Sequence, residues 1–260
     1  MLIAALSTVA AAALLLLGLY HYRRVRIADF ARRAVCDSSD PRDAAFALAR
    51  AIFSGVGRRH KDPVFISTLL RPLGASPVTV LRHGGCCSGL HRLYITALDT
   101  LGIRAAQITV LRRVDPAHAH CLVQVAIHDT DFLIDVDYGV WLRHADGRPL
   151  GLIDLQRGIS PAIEPFVFGQ VAPYAGSSRT RSPGFPAVDY YRFDYELSCT
   201  ANWAETALRR GVYAVLKPLT RGGIDRMLLP ASLEWPELLL AFALCAGALG
   251  LFVLQTLATL

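Results

Sequence analysis

Two uninterrupted apolar runs bracket the chain. Residues 2–20 read LIAALSTVAAAALLLLGLY and residues 238–260 read LLLAFALCAGALGLFVLQTLATL, neither with a charged side chain. An apolar helix of about 20 residues matches the roughly 30 Å hydrocarbon thickness of a bilayer. No Lys or Arg precedes the first run and no small-residue cleavage site follows it, so it predicts a retained anchor and not a cleaved signal peptide. Tyr20 and Tyr22 beside the first run, and Trp235 beside the second, suit the interface between lipid and water. Ala243 with Gly247, and Ala246 with Gly250, have the small-xxx-small spacing that lets helices approach closely in a homo-oligomer or membrane complex.

Between the runs the pattern changes to that of a water-soluble domain. Asp40-Pro41 opens a helix as N-cap and first-turn proline, and Ala45, Leu48, Ala49, Ile52 and Phe53 follow with helical period to Gly55. Residues 56–76 read as a basic loop with one short apolar piece at 65–70. A turn, His83-Gly84-Gly85-Cys86-Cys87-Ser88-Gly89, leads into Leu90, Leu93, Tyr94, Ala97, Leu98 and Leu101, one core-facing helix stopped by Gly102. Three strands follow at 105–111, 120–127 and 132–136, the last two joined by a hairpin turn at 128–131. Residues 145–187 are rich in Gly, Pro and Ser and read as long ordered loops. Beyond them lie an aromatic strand at 187–197, an amphipathic helix at 202–216 and a Gly222-Gly223 hinge. The predicted architecture is α+β: a domain over 21–234 with its core at 80–140, a helix packed on a small antiparallel sheet, and transmembrane helices at 2–20 and 238–260.

Composition narrows the classes. Of 260 residues 53% are hydrophobic and 18% charged, against about 25% charged in a soluble domain. That excludes a disordered chain and a fully soluble one. The formal net charge of +6 gathers at the flanks of the apolar runs: Arg23, Arg24, Arg26, Arg32 and Arg33 after the first; Arg209, Arg210, Lys217, Arg221 and Arg226 before the second. The positive-inside rule then predicts residues 21–234 in the cytoplasm and both termini outside. No basic stripe interleaved with aromatics argues for nucleic acid, so the expected partners are the bilayer and a protein or peptide substrate. The six cysteines, Cys36, Cys86, Cys87, Cys121, Cys199 and Cys245, form no CxxC pair and no metal-ligand spacing. A disulfide scaffold is not expected in a reducing compartment, and no metal or organic cofactor is implied.

The chemistry concentrates in Cys87, His120 and Asp135. Cys87 stands where a glycine-rich turn enters a helix, and the unpaired amides and dipole of a helix N-terminus favour an anion there. The placement predicts a thiol acidified toward thiolate, beside amides able to hold an oxyanion. His120 opens one strand and Asp135 ends the next, so an antiparallel hairpin brings the carboxylate beside the imidazole. The carboxylate would fix the tautomer, and the other ring nitrogen would face sulfur. Cys86, His118 and Asp137 are the rivals for the three positions; His83 and His91 read as surface or packing residues, with His91, one turn past Cys87, the alternative candidate to line the site.

Three segments resemble the transglutaminase-like, papain-like thiol enzyme superfamily. GGCCSGLHRLYITALDTLGI is similar to its Gly-x-Cys helix ending in Leu-Gly-Ile, AHCLVQVAI to its His-Ala-Trp strand, and FLIDVDYG to its strand ending in Asp-Pro-x-x-Gly. The resemblance implies Cys87 as nucleophile, His120 as general base and acid, and Asp135 as the group that orients it. It implies a cysteine protease or amidase, or a transglutaminase-type acyltransferase. Cys121, Leu122, Gln124 and Val136 stand where the superfamily usually has Ala, Trp, Glu and Pro. HGGCC and IDVDYG also resemble arylamine N-acetyltransferases, which would imply a CoA thioester donor. The non-catalytic alternative is a membrane scaffold that holds a peptide in the cleft.

Overall fold

The computed structural model describes residues 2–36, 38–57, 75–111, 119–159, 161–165, 199–201, 207–221 and 223–259. Helix α1 runs unbroken from Leu2 to Val35. The basic flank expected to leave the first apolar run thus continues the same helix, because neither Pro nor Gly interrupts residues 19–35. Its second half joins the core, with Ile27 and Ala31 fully buried. Helix α7, Pro236–Thr259, starts on a proline, which tolerates a first helical turn. Both helices are long and apolar enough to cross a membrane, with only 6% and 17% of their apolar windows buried. They pack side by side. Tyr20 and Trp235 meet edge to face at 5.3 Å between ring centroids, and Arg23 pairs with Glu237.

Helix α2, Pro41–Gly55, is capped as expected: Arg42 N–H donates to the Asp40 carboxylate at 3.0 Å. A short α3, Pro77–His83, precedes α4, Cys87–Thr100. The strands β1 (Arg104–Leu111), β2 (Ala119–Ile127), β3 (Thr130–Asp135), β4 (Val140–Arg143), β5 (Ala162–Pro165) and β6 (Cys199–Ala201) form one antiparallel sheet in the order β5-β4-β3-β2-β1-β6. Alternation along β2 sends Val123, Val125 and Ile127 into a core shared with α1, α2 and α4. Leu122 faces the other way, among Ile108, Val110, Leu133, Leu142 and the short helix α5, Leu152–Gln156. Each fully buried Leu or Ile contributes about 1.5–3 kcal/mol.

The sheet, of six strands, is wider than the three-stranded meander expected over 105–136. β4 is only four residues long and follows a turn at Gly139, whose φ of +72° suits glycine. The stretch expected to be loop, residues 145–187, contains α5 and β5; β5 is an edge strand ending in Pro165, where a missing N–H costs least. The strand expected at 187–197 lies outside the described residues, and so does Gly222 of the expected hinge. The amphipathic helix expected at 202–216 is α6, Ala207–Leu219, extending past the expected end through Pro218.

A buried ion network ties α4 to the segment that leads into α7. Arg92 Nε donates to Glu234 Oε2 at 3.1 Å, and an Arg92 terminal nitrogen donates to the Ala75 carbonyl at 2.9 Å. Arg209 donates to Glu234 Oε1 at 3.3 Å and to the Leu233 carbonyl at 2.8 Å. Burial opposes ionisation of Glu234, but the guanidiniums of Arg209 and Arg92 outweigh it and hold its carboxyl below the ordinary range. Glu234→Ala leaves two buried cations facing each other and is expected to destabilise the fold by about 3–5 kcal/mol, read as a fall in Tm of the detergent-solubilised chain. A depressed folded-state pKa means that this stabilisation is present above the unfolded value of about 4.3 and is lost as pH falls through the lower folded value. The Tm gap between wild type and variant should therefore narrow on acidification.

Candidate active site

The turn before α4 is set by glycine. Gly84 ends α3 at φ +75°, its N–H donating to Val80 O at 2.7 Å. A Cβ there would fall on the Gly57 carbonyl oxygen, which accepts the Gly85 N–H at 3.1 Å. Only glycine lets the end of α2 and this turn lie so close. Cys86 is then the extended N-cap of α4, and its side chain makes no capping bond to the helix. Its sulfur lies 3.3 Å from Ser88 Oγ. Cys87 is the first helical residue and is half-buried.

The hairpin carries His120 and Asp135 on one face, the face of Leu122 and Leu133. The parity follows from the paired positions Val123 and Ile134, which both face the helices. His120 Nε2 and Asp135 Oδ2 are 2.6 Å apart, at 3% and 0% exposure. Asp135 Oδ1 accepts the N–H groups of Asp137 at 2.9 Å and Tyr138 at 3.1 Å. The His120 ring lies 5.1 Å from that of Tyr138. Burial alone would raise the Asp135 pKa; His120, by charge and hydrogen bond, and His91 outweigh it and hold the carboxyl well below the usual range. Asp135 is thus an anion held by an imidazole and two amides. The rival Asp137 is buried beside it, and the rival His118 lies outside the described residues.

The thiol differs from the expectation. The Cys87 pKa is raised well above the ordinary thiol value. A hydrogen bond with Cys121 is the largest cause; Cys86 opposes it, and burial together with the charges of Cys121 and Asp137 adds to it. The helix N-terminus is present, but its effect is overridden by acceptors and low polarity around the sulfur. Cys121 follows His120 on β2 and so points to the opposite face, toward α4.

His91, read mainly as surface or packing but also, from its place one turn past Cys87, as a residue that could line the site, is fully buried, with Nε2 3.2 Å from the Val136 nitrogen and 3.4 Å from Asp135 Oδ1. Among the described residues no group of three or more His, Cys, Asp or Glu could hold a metal. A cavity of about 490 Å³ lies at the other end of α4, lined by Asp99, Arg104, Gln124 and Asp131, and includes none of the residues above.

No family model matches the chain, and no curated protein matches it. One solved structure, of a candidate cysteine protease from Cytophaga hutchinsonii, aligns with 44% of this chain at 15% identity and a TM-score of 0.37. The alignment spans 37% of that protein's length.

Two outcomes follow from the turn and the thiol pair. Gly84→Ala forces a side chain into a conformation nearly restricted to glycine and should cost at least about 1–3 kcal/mol, seen as a lower Tm together with faster alkylation of nearby buried Cys121. Cys121→Ala removes the bond that keeps the Cys87 thiol neutral. Its alkylation by iodoacetamide, followed by mass spectrometry across pH, should titrate lower. At neutral pH it should speed up by roughly threefold for each unit of that shift; an unchanged midpoint would count against the Cys121 bond.

Proposed function

We propose that the chain is a membrane-associated cysteine enzyme of transglutaminase-like, papain-like type, cleaving or transferring acyl groups at amide or ester bonds. The observation that carries this reading is the buried 2.6 Å bond between His120 and Asp135 on a hairpin packed against the helix that Cys87 begins. Thiol acyl transfer needs an oriented imidazole within reach of a thiol, and this reading assigns those parts to His120 and Cys87. The arginine-rich flanks of the apolar helices put the domain on the cytoplasmic face in this reading.

The resting thiol is neutral, so its proton leaves during attack and not before it. His120 takes that proton as sulfur bonds to the substrate carbonyl carbon. The carbonyl electrons move onto oxygen, where the first-turn amides of α4 can hold the charge. Collapse breaks the bond to the leaving group, which takes the proton back from imidazolium, leaving a thioester on Cys87. His120 then deprotonates the second nucleophile, water in a hydrolase or an amine in a transferase, and the thiol is released. Asp135 stays ionised and stabilises the imidazolium, consistent with its depressed pKa.

One observation favours a second reading. A thiol held neutral by Cys121 suits a scaffold that keeps the cleft and does no chemistry. A peptidyl vinyl sulfone applied to intact membranes, with the labelled site mapped, separates the two. The enzyme reading expects labelling at Cys87 that falls about 10²-fold or more in His120→Ala and vanishes in Cys87→Ser. Folded protein whose cysteines all react equally slowly would leave the scaffold.

A further inference from the structure

His91 lies one turn after Cys87 on α4, so thiol and imidazole belong to one rigid segment about 6 Å apart along its axis. Its ring is fully buried and stands edge-on to that of His120, 6.1 Å between centroids. Its Nε2 sits between a donor and an acceptor, the Val136 N–H at 3.2 Å and Asp135 Oδ1 at 3.4 Å. With the ring proton on Nδ1, Nε2 accepts from Val136. With a proton on Nε2, it donates to Asp135. Either way the helix of the thiol is tied to the end of β3, where the His120–Asp135 pair is anchored.

Packing does not account for a histidine at this place. Nδ1 is buried without a hydrogen-bond partner, a desolvation cost that an apolar side chain of similar size would avoid. The bond made by Nε2 is what the polar ring adds. We propose that His91 is a positioning residue: from one turn below Cys87 it bonds the end of β3 and thereby fixes the separation between the sulfur and the His120–Asp135 pair. This rests on the reading of those three residues as the reacting set.

The test uses the full chain in native membranes and the rate of Cys87 modification by the vinyl sulfone across pH. Gln reaches the place of Nε2 and can donate or accept there; Leu can do neither. His91→Leu should react about 10- to 100-fold more slowly and lose the same pH-dependent rise that His120→Ala loses. His91→Gln should recover both to within about threefold of wild type. A purely structural residue would shift Tm and leave the pH profile of the folded fraction intact. Wild-type rate and profile in His91→Leu overturn the proposal, as does a His91→Gln that is folded yet no better than Leu. If Leu does not fold, His91→Asn replaces it, since its amide ends near the place of Nδ1 and falls short of β3. Slow reaction with a flattened profile then supports the tie, and a wild-type profile overturns it. If His120→Ala itself leaves the profile unchanged, the reacting set is wrong and the role given to His91 falls with it. If His120→Ala flattens the profile and His91→Leu does not, only the role of His91 is overturned.

Discussion

A carboxylate with no exposure to water must be solvated by protein, and the geometry around Asp135 is the answer to that demand. An unpaired buried charge would cost far more than a domain of this size can spare. One oxygen takes the imidazole of His120; the other takes two successive backbone amides that curl back after β3. The turn at Val136–Gly139 is shaped by those amides, and Gly139 closes it by donating to the Asp135 carbonyl at 2.9 Å. Strand β4 can begin only because the chain reverses there. The same carboxylate thus organises a strand end, a turn and the orientation of an imidazole.

Periodicity made the central part of this arrangement legible. The α4 face and the hairpin could be read from Leu90 to Asp135 because burial on one face imposes a regular pattern, although the turn, read as 128–131, is two residues shorter, with β3 starting at Thr130. Parity also carried His120 and Asp135 to a common face. What escaped was set by contacts and not by pattern. β4 and β5 are four residues each, too short for alternation to register, and exist by pairing with a neighbour. The continuation of α1 through its arginines escaped because charge was taken as a boundary, whereas a helix stops only where its backbone is interrupted. The state of the Cys87 thiol was misread for a related reason. A helix N-terminus is visible in one segment, but Cys121 comes from another, and its contact with Cys87 exists only after folding.

The apolar helices and the candidate site are not separate modules. Glu234 lies just before α7 and Glu237 in its first turn, and each is paired with arginine from elsewhere: Arg92 and Arg209 for the first, Arg23 for the second. Arg92 is five positions after Cys87 on the same helix. Displacement of α7 relative to α1 would pull on these pairs, and the nearest rigid body to feel it is the helix that carries the thiol.

The unbroken run of α1 bears on how the molecule can be handled by proteases. In many anchored proteins a flexible stalk separates lipid from domain, and a single cut there sheds an intact catalytic unit. Here the stretch that follows the apolar residues is helical and inserts Ile27 and Ala31 among the side chains of the core. A cleavage site would have to unwind that helix to be reached, and removing the helix would strip one wall from the interior. The described helix offers no irregular link between its apolar half and its buried half, so a cut within 21–35 would fall inside a segment that also builds the core.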